Sequence, residues 1–173
     1  ARLRIPNVVF DEGELVLHVG NKSIEVALTP GHTLDSSVAY VREDKVLLAA
    51  DTVMPVPYFV WGDRHLFRQS LSILKDYNLE SIVQGHGEVL LRGEIPTALE
   101  SSIRYLDVLE EKVSKLVKEG KSKRALDKLT IDSCGKSRIP LNGLVQDLHR
   151  ANAYALYDEL LEMGRSSAFI LSP

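Results

Sequence analysis

Three polar residues, His32, Asp51 and His86, have the types and the placement to hold a metal ion. Each stands at or just past the C-terminal end of a strand-like run. His32 lies in "TPGHTLDSS" (29–37), Asp51 closes "KVLLAAD" (45–51), and His86 lies in "SIVQGHGEV" (81–89). In layered α/β folds such strand ends converge, and the loops beyond them carry the chemistry. Imidazole and carboxylate are the usual ligands of a hydrolytic zinc site. On residue type alone, the three side chains fill three positions around one ion, or supply half the ligands of a pair. Gly31, Gly85 and Gly87 beside the histidines permit positive φ and close backbone approach. A single histidine near a turn is more often a surface or capping residue, so the weight rests on three candidates in matching positions.

The elements that must position these residues follow from periodicity. "GELVLHVG" (13–20) and "KSIEVALT" (22–29) alternate, with Leu15, Leu17 and Val19 on one face and Ile24, Val26 and Leu28 on the partner. Gly20-Asn21 between them predicts a hairpin turn. "SSVAYVRE" (36–43) is a further strand. "KVLLAAD" is apolar on both faces, the pattern of a strand buried in the middle of a layered fold. Residues 64–77 predict a short amphipathic helix, and 81–89 a last strand. From about residue 94 the sequence turns helical: Ile95, Leu99, Ile103, Leu106, Leu109, Val113 and Leu116 recur at steps of three and four. Pro96 suits a first turn and Gly120 a stop. Ser122 is placed to cap a short helix through Leu129. "DSCGKSRIPLNG" (132–143) reads as a loop, and a last helix ends at Gly164.

Composition narrows the class. A 45% apolar and 26% charged chain of 173 residues can build one domain with a real core, with room for an appendage. The net charge of −3 favours no particular partner. A single cysteine, Cys134, excludes an internal disulfide and makes a reducing cytoplasm the expected setting. No apolar run nears the ~20 residues of a membrane span, so no membrane contact is expected. No signal peptide is evident. The chain opens at Ala1 without methionine, directly in strand-like sequence, as though cut.

"TPGHTLDSS", "LLAADTV" and "IVQGHGEV", in this order, resemble the second half of the metallo-β-lactamase superfamily, over about residues 5–93. There a strand ends in P-G-H-T, a later strand in G-D, and a last strand in G-H-G. The resemblance implies an α/β fold: half of an αββα sandwich over residues 1–93, followed by a C-terminal helical segment over 94–173. By position, His32 corresponds to the third histidine of the first metal site, Asp51 to the carboxylate bridging two metals, and His86 to the histidine of the second site. Ala50 replaces the usual glycine before the aspartate, and Asp35 stands where glycine often follows the P-G-H-T turn. The family signature H-x-H-x-D-H is absent: His18, His32, His65, His86 and His149 include no two within six positions. The resemblance therefore implies the C-terminal half of a longer, dinuclear-zinc hydrolase, in which a metal-bound hydroxide attacks an ester, thioester, lactone or related bond. This chain alone, with zinc weakly bound or lost, is expected to be inactive. Two alternatives stay open: a non-catalytic binding or scaffold half-domain, and one subunit of a split hydrolase.

Around that centre, "TVMPVPYFVWGD" (52–63) is the candidate pocket wall for a small-molecule substrate, with Tyr58, Phe59 and Trp61 as its aromatic contacts. The same residues would also serve as packing under the helix at 64–77. His65 and His149 read as structural or surface residues, His18 as exposed, and Cys134 as non-catalytic. The basic run "KVSKLVKEGKSKR" (112–124) interleaves Glu119 and holds no aromatic, so a solvated helix face is preferred over a nucleic-acid surface. The helical segment is expected to close over a substrate or to support a dimer. Removing one layer of a sandwich opens an apolar face, so a homo-oligomer, or pairing with the missing N-terminal half, is expected.

Overall fold

The computed structural model describes residues 8–11 and 13–170. The strand-like sequence expected directly after Ala1 lies outside the described residues. Six strands form one sheet in sequential order: β1 (Glu14–Val19), β2 (Lys22–Leu28), β3 (Ser37–Val41), β4 (Val46–Ala50), β5 (Ser81–Gln84) and β6 (Leu90–Leu91). The first hairpin pairs Leu17 with Ile24 and Leu15 with Val26, and turns at Gly20-Asn21 as its residues dictate. All neighbours are antiparallel except β4 and β5, which run parallel. A parallel pair needs a crossover, and here it is the helix α1 (Arg64–Leu74). Asp63 caps α1, its carboxylate accepting from the backbone of His65 at 2.7 Å and Leu66 at 2.9 Å. The short strand β6 was not foreseen, since two residues carry no period.

The helical half consists of α2 (Ile95–Lys118), three 3₁₀ turns at Lys123–Lys128, Ile131–Cys134 and Pro140–Gly143, and α3 (Leu144–Ile170). The expected loop over 132–143 is thus partly wound. The last helix also runs past Gly164, where a stop was read. One apolar core joins both halves, from Leu47 and Ile82 of the sheet through Phe67 and Leu71 of α1 to Leu109 of α2 and Val145 of α3. Buried Arg64 ties the three helices together, donating to Glu159 at 2.6 Å and Glu110 at 3.1 Å. No helix among the described residues is long and apolar enough to cross a membrane.

One expectation about the sheet needs correction. The apolar pattern of 45–51 predicts a strand buried on both faces. It does lie inside the sheet, between β3 and β5, and Leu47 and Ala49 face the helices with no exposure. On its other face Leu48 is 46% exposed. The register sets Leu48 in a cross-strand row running Leu15, Val26, Ala39, Leu48, Val83. This outer face is apolar, and no layer covers it among the described residues.

Candidate functional site

Each of the three singled-out residues leaves the sheet at the same edge, and the loops bring them together. The His32 turn follows β2. Thr29 Oγ1 meets Thr52 Oγ1 at 2.8 Å, so the turn after β2 is bonded to the loop after β4. Ser70 of α1 donates to the Pro30 carbonyl at 2.8 Å, and Asp63 N–H to the Gly31 carbonyl at 3.0 Å. Gly31 packs so closely on Phe67 that a β-carbon there would overlap that residue's backbone and ring. Glycine at 31 is therefore a steric requirement of seating the turn on α1.

Asp51 is set by a break in the β4–β5 ladder between Leu48 and Ala50. Ala50 adopts φ 43°, a left-handed conformation that L-residues other than glycine seldom take. This is the position where glycine is usual in the resembled family. The Ala50 carbonyl then accepts from Gly85 N–H at 2.7 Å, which holds the loop carrying His86 against the loop carrying Asp51. A β-carbon at Gly85 would overlap both the Asp51 carboxylate and the Ala50 carbonyl.

The resulting geometry centres on Asp51. Its Oδ2 lies 3.5 Å from His32 Nε2, and its Oδ1 lies 3.4 Å from His86 Nε2. The two carboxylate oxygens thus face two different imidazoles. His32 Nδ1 lies 2.7 Å from the Tyr58 carbonyl. A carbonyl only accepts, so Nδ1 carries a proton, and Nε2 is the ring nitrogen that faces Asp51. This backbone bond orients the ring as an outer partner orients a metal-ligating histidine. Among the described residues, no three His, Cys, Asp or Glu side chains surround a single point closely enough to cage an ion. The two oxygens of Asp51 are thus presented in different directions, each toward one imidazole that could hold a metal.

A cavity of about 270 Å³ opens over these residues, and Tyr58 and Trp61 line it with Met54, Leu141, Leu144 and Leu148. Trp61 is 73% exposed and packs edge-on against Tyr58 at 5.5 Å between ring centres. Phe59, expected beside them, is a correction: it is 5% exposed, belongs to the core and does not line this cavity. A turn closed by Gly62 N–H on the Phe59 carbonyl at 3.0 Å sets Phe59 and Trp61 in different directions. Leu141, Leu144 and Leu148 show that the helical segment also contributes to the wall.

One contributor was missed by the sequence reading. Asn152 of α3 is fully buried and grips the 52–63 loop from below. Its Nδ2 donates to the Pro57 carbonyl at 2.7 Å, and its Oδ1 accepts from Phe59 N–H at 3.1 Å. It thereby holds the residues on either side of Tyr58, whose carbonyl orients His32. An asparagine on an otherwise apolar helix face was the available signal. The other histidines stand apart. His65 and His18 are exposed, the latter 3.3 Å from Ser23 Oγ. His149 is buried between Tyr105 Oη at 3.0 Å and the Leu129 carbonyl at 2.9 Å. Cys134 is buried, and burial pushes its thiol up, away from nucleophilic character.

Comparison with known proteins identifies the family. A sequence model of the metallo-beta-lactamase superfamily matches residues 2–113. Beta-lactamase-like protein 2 homolog of Caenorhabditis elegans is 28% identical over 126 residues, covering 68% of this chain and 42% of that protein. Lactamase-like protein nscB of Neosartorya fischeri is 27% identical over 111 residues, covering 64% and 33%. The chain thus spans less than half the length of these curated relatives. Among solved structures, a metallo-beta-lactamase family protein from Thermus thermophilus superposes with a TM-score of 0.65 at 21% identity, over 92% of this chain and 50% of that one. That likeness concerns the fold.

Proposed function

Since the chain belongs to the metallo-β-lactamase superfamily, whose members are hydrolases, we propose that it carries the second half of the active site of a metal-dependent hydrolase. The observation that carries this reading is the Asp51 carboxylate, set between His32 Nε2 and His86 Nε2 with one oxygen toward each. In this reading Asp51, His32 and His86 would hold metal, with Asp51 shared between the two histidines. Superfamily members typically bind zinc, and the nitrogen–oxygen donor set suits it. When bound, the metal supplies a nucleophile at neutral pH and polarises the oxygen of the scissile bond. Tyr58 and Trp61 present an apolar wall beside that centre, which suits a small-molecule ester, thioester, lactone or related bond. The remaining ligands come from an H-x-H-x-D-H segment on the other half of the sandwich, which would cover the apolar face of the sheet. The 173-residue chain by itself is then inactive, and the active species is the longer protein.

Metal content tests this directly. Zinc titrated into the full-length protein is expected to bind two ions per chain. His86→Ala and His32→Ala should each weaken one of them by more than the roughly 10–100-fold cost of losing an outer-shell partner. Two ions bound with unchanged affinity in both variants would overturn the assignment. The open sheet face also favours a second reading, in which a separate chain supplies the other half as the partner subunit of a split hydrolase. Mixing the 173-residue chain with such a partner would then restore zinc binding.

A further inference from the structure

Next to the Asp51 centre lies a second and larger cavity of about 840 Å³. Met54 and Leu141 border both cavities, and Gly87, beside His86, stands in the wall of the larger one. Its size suits an organic ligand, and Val53, Pro55, Leu90 and Ile139 make much of its wall apolar. Lys136 lines this space. Its ammonium donates to Ser102 Oγ at 2.9 Å, and Ser102, itself buried, donates onward to the Ala98 carbonyl at 2.9 Å.

An ammonium has three hydrogens to donate. Here one goes to a neutral hydroxyl, and among the described residues no carboxylate pairs with this lysine. Glu88 also lines the cavity, but it is exposed and makes no ion pair with Lys136. The contrast with Arg64 is instructive. That buried cation is flanked by two glutamates and serves as a structural tie. A structural lysine normally either pairs or extends its head to water. Burial lowers the Lys136 amine to about 8, so the site holds the charged form at a cost that a paired anion would offset.

We propose that Lys136 is the anion-binding residue of the substrate pocket. The large cavity would take an apolar substrate arm ending in a carboxylate, which pairs with Lys136 Nζ while the bond to be cleaved lies at the Asp51 centre. The placement of that bond rests on the hydrolase reading. The carboxylate site does not. It assigns specificity to the helical segment, since both Lys136 and Ser102 lie outside the strand-rich half.

The test is binding without turnover. 4-Phenylbutyrate and its neutral amide are titrated calorimetrically into the metal-free full-length protein. The carboxylate is expected to bind about tenfold more tightly than the amide, or better, close to the 1.4 kcal/mol of one decade. Lys136→Met should abolish that preference while leaving amide affinity unchanged, and Lys136→Arg should keep it. If Lys136→Met fails to fold, Lys136→Gln provides the same contrast. Equal affinity for the two probes, no binding of the carboxylate, or a preference that survives loss of the lysine would each overturn the proposal. A wild-type protein that binds no zinc yet prefers the carboxylate would support Lys136 and overturn the hydrolase reading alone.

Discussion

Ala50 is the residue where local cost and site geometry meet. Its left-handed φ of 43° turns the chain so that Asp51 leaves β4 toward the two histidines. Holding an L-residue there costs about 1–2 kcal/mol. Glycine would remove that cost and return about 0.5–1 kcal/mol of it as chain entropy. Ala50→Gly is therefore expected to stabilise the protein by about 0.5–1 kcal/mol, read as a higher denaturant midpoint at unchanged m-value. A destabilised variant would mean that the methyl group contributes packing of equal size. The departure from the family's usual glycine was visible in the sequence, whereas the backbone conformation that gives it meaning was not. The same holds for His32: its type and turn were legible, but the Tyr58 carbonyl that selects its tautomer lies 26 positions away.

At the scale of elements, α2 and α3 meet through a polar relay inside an apolar contact. Asn152 Nδ2 donates to Tyr105 Oη at 3.2 Å, Tyr105 donates to His149 Nδ1, and His149 Nε2–H donates to the Leu129 carbonyl. While His149 is neutral its Nδ1 accepts the Tyr105 hydroxyl hydrogen; protonation of the ring would leave that buried hydrogen without this acceptor. Burial, the largest cause, pushes the His149 imidazole below its usual 6.5. The unfolded chain therefore takes up this proton first as pH falls. Stability from His149 is fully present above about 6.5 and is lost as pH drops through the lower folded value. Thermal melts between pH 7 and 5 are expected to fall more steeply in wild type than in His149→Gln. Equal slopes would show that His149 titrates normally. Sequence reading placed this histidine as structural, but its partners on α2 and at Leu129 emerge only when the helices pack.

For the whole molecule, the outer sheet face decides behaviour in solution. Leu17, Leu48 and Val83 stand exposed on it beside partly buried Leu15, Ile24 and Val26. Covering such a face is favourable by about 25 cal/mol per Å². We expect the isolated 173-residue chain to self-associate through it, with Leu48→Glu shifting the population toward monomer. Sedimentation that finds only monomer at high concentration would contradict this. The division at residue 94 marks where strands give way to helices. The core nevertheless runs unbroken across it, and wall residues of both cavities come from either side.

Alternation and punctuation in the sequence were enough to determine the first hairpin, the crossover helix, the long helix from residue 95, and His32, Asp51 and His86 as residues at strand ends. These depend on local periodicity and on motifs a few residues long. Tertiary structure alone decided the rest. It turned Phe59 inward while leaving Trp61 in the cavity wall, brought Asn152 under Tyr58, and half-buried Lys136 beside the site with no carboxylate paired to it among the described residues. It also showed that β4, apolar on both sides, has one face left uncovered among the described residues. The physical reason is common to all four. Burial and pairing are set by what arrives from distant parts of the chain, and the local pattern holds no record of that.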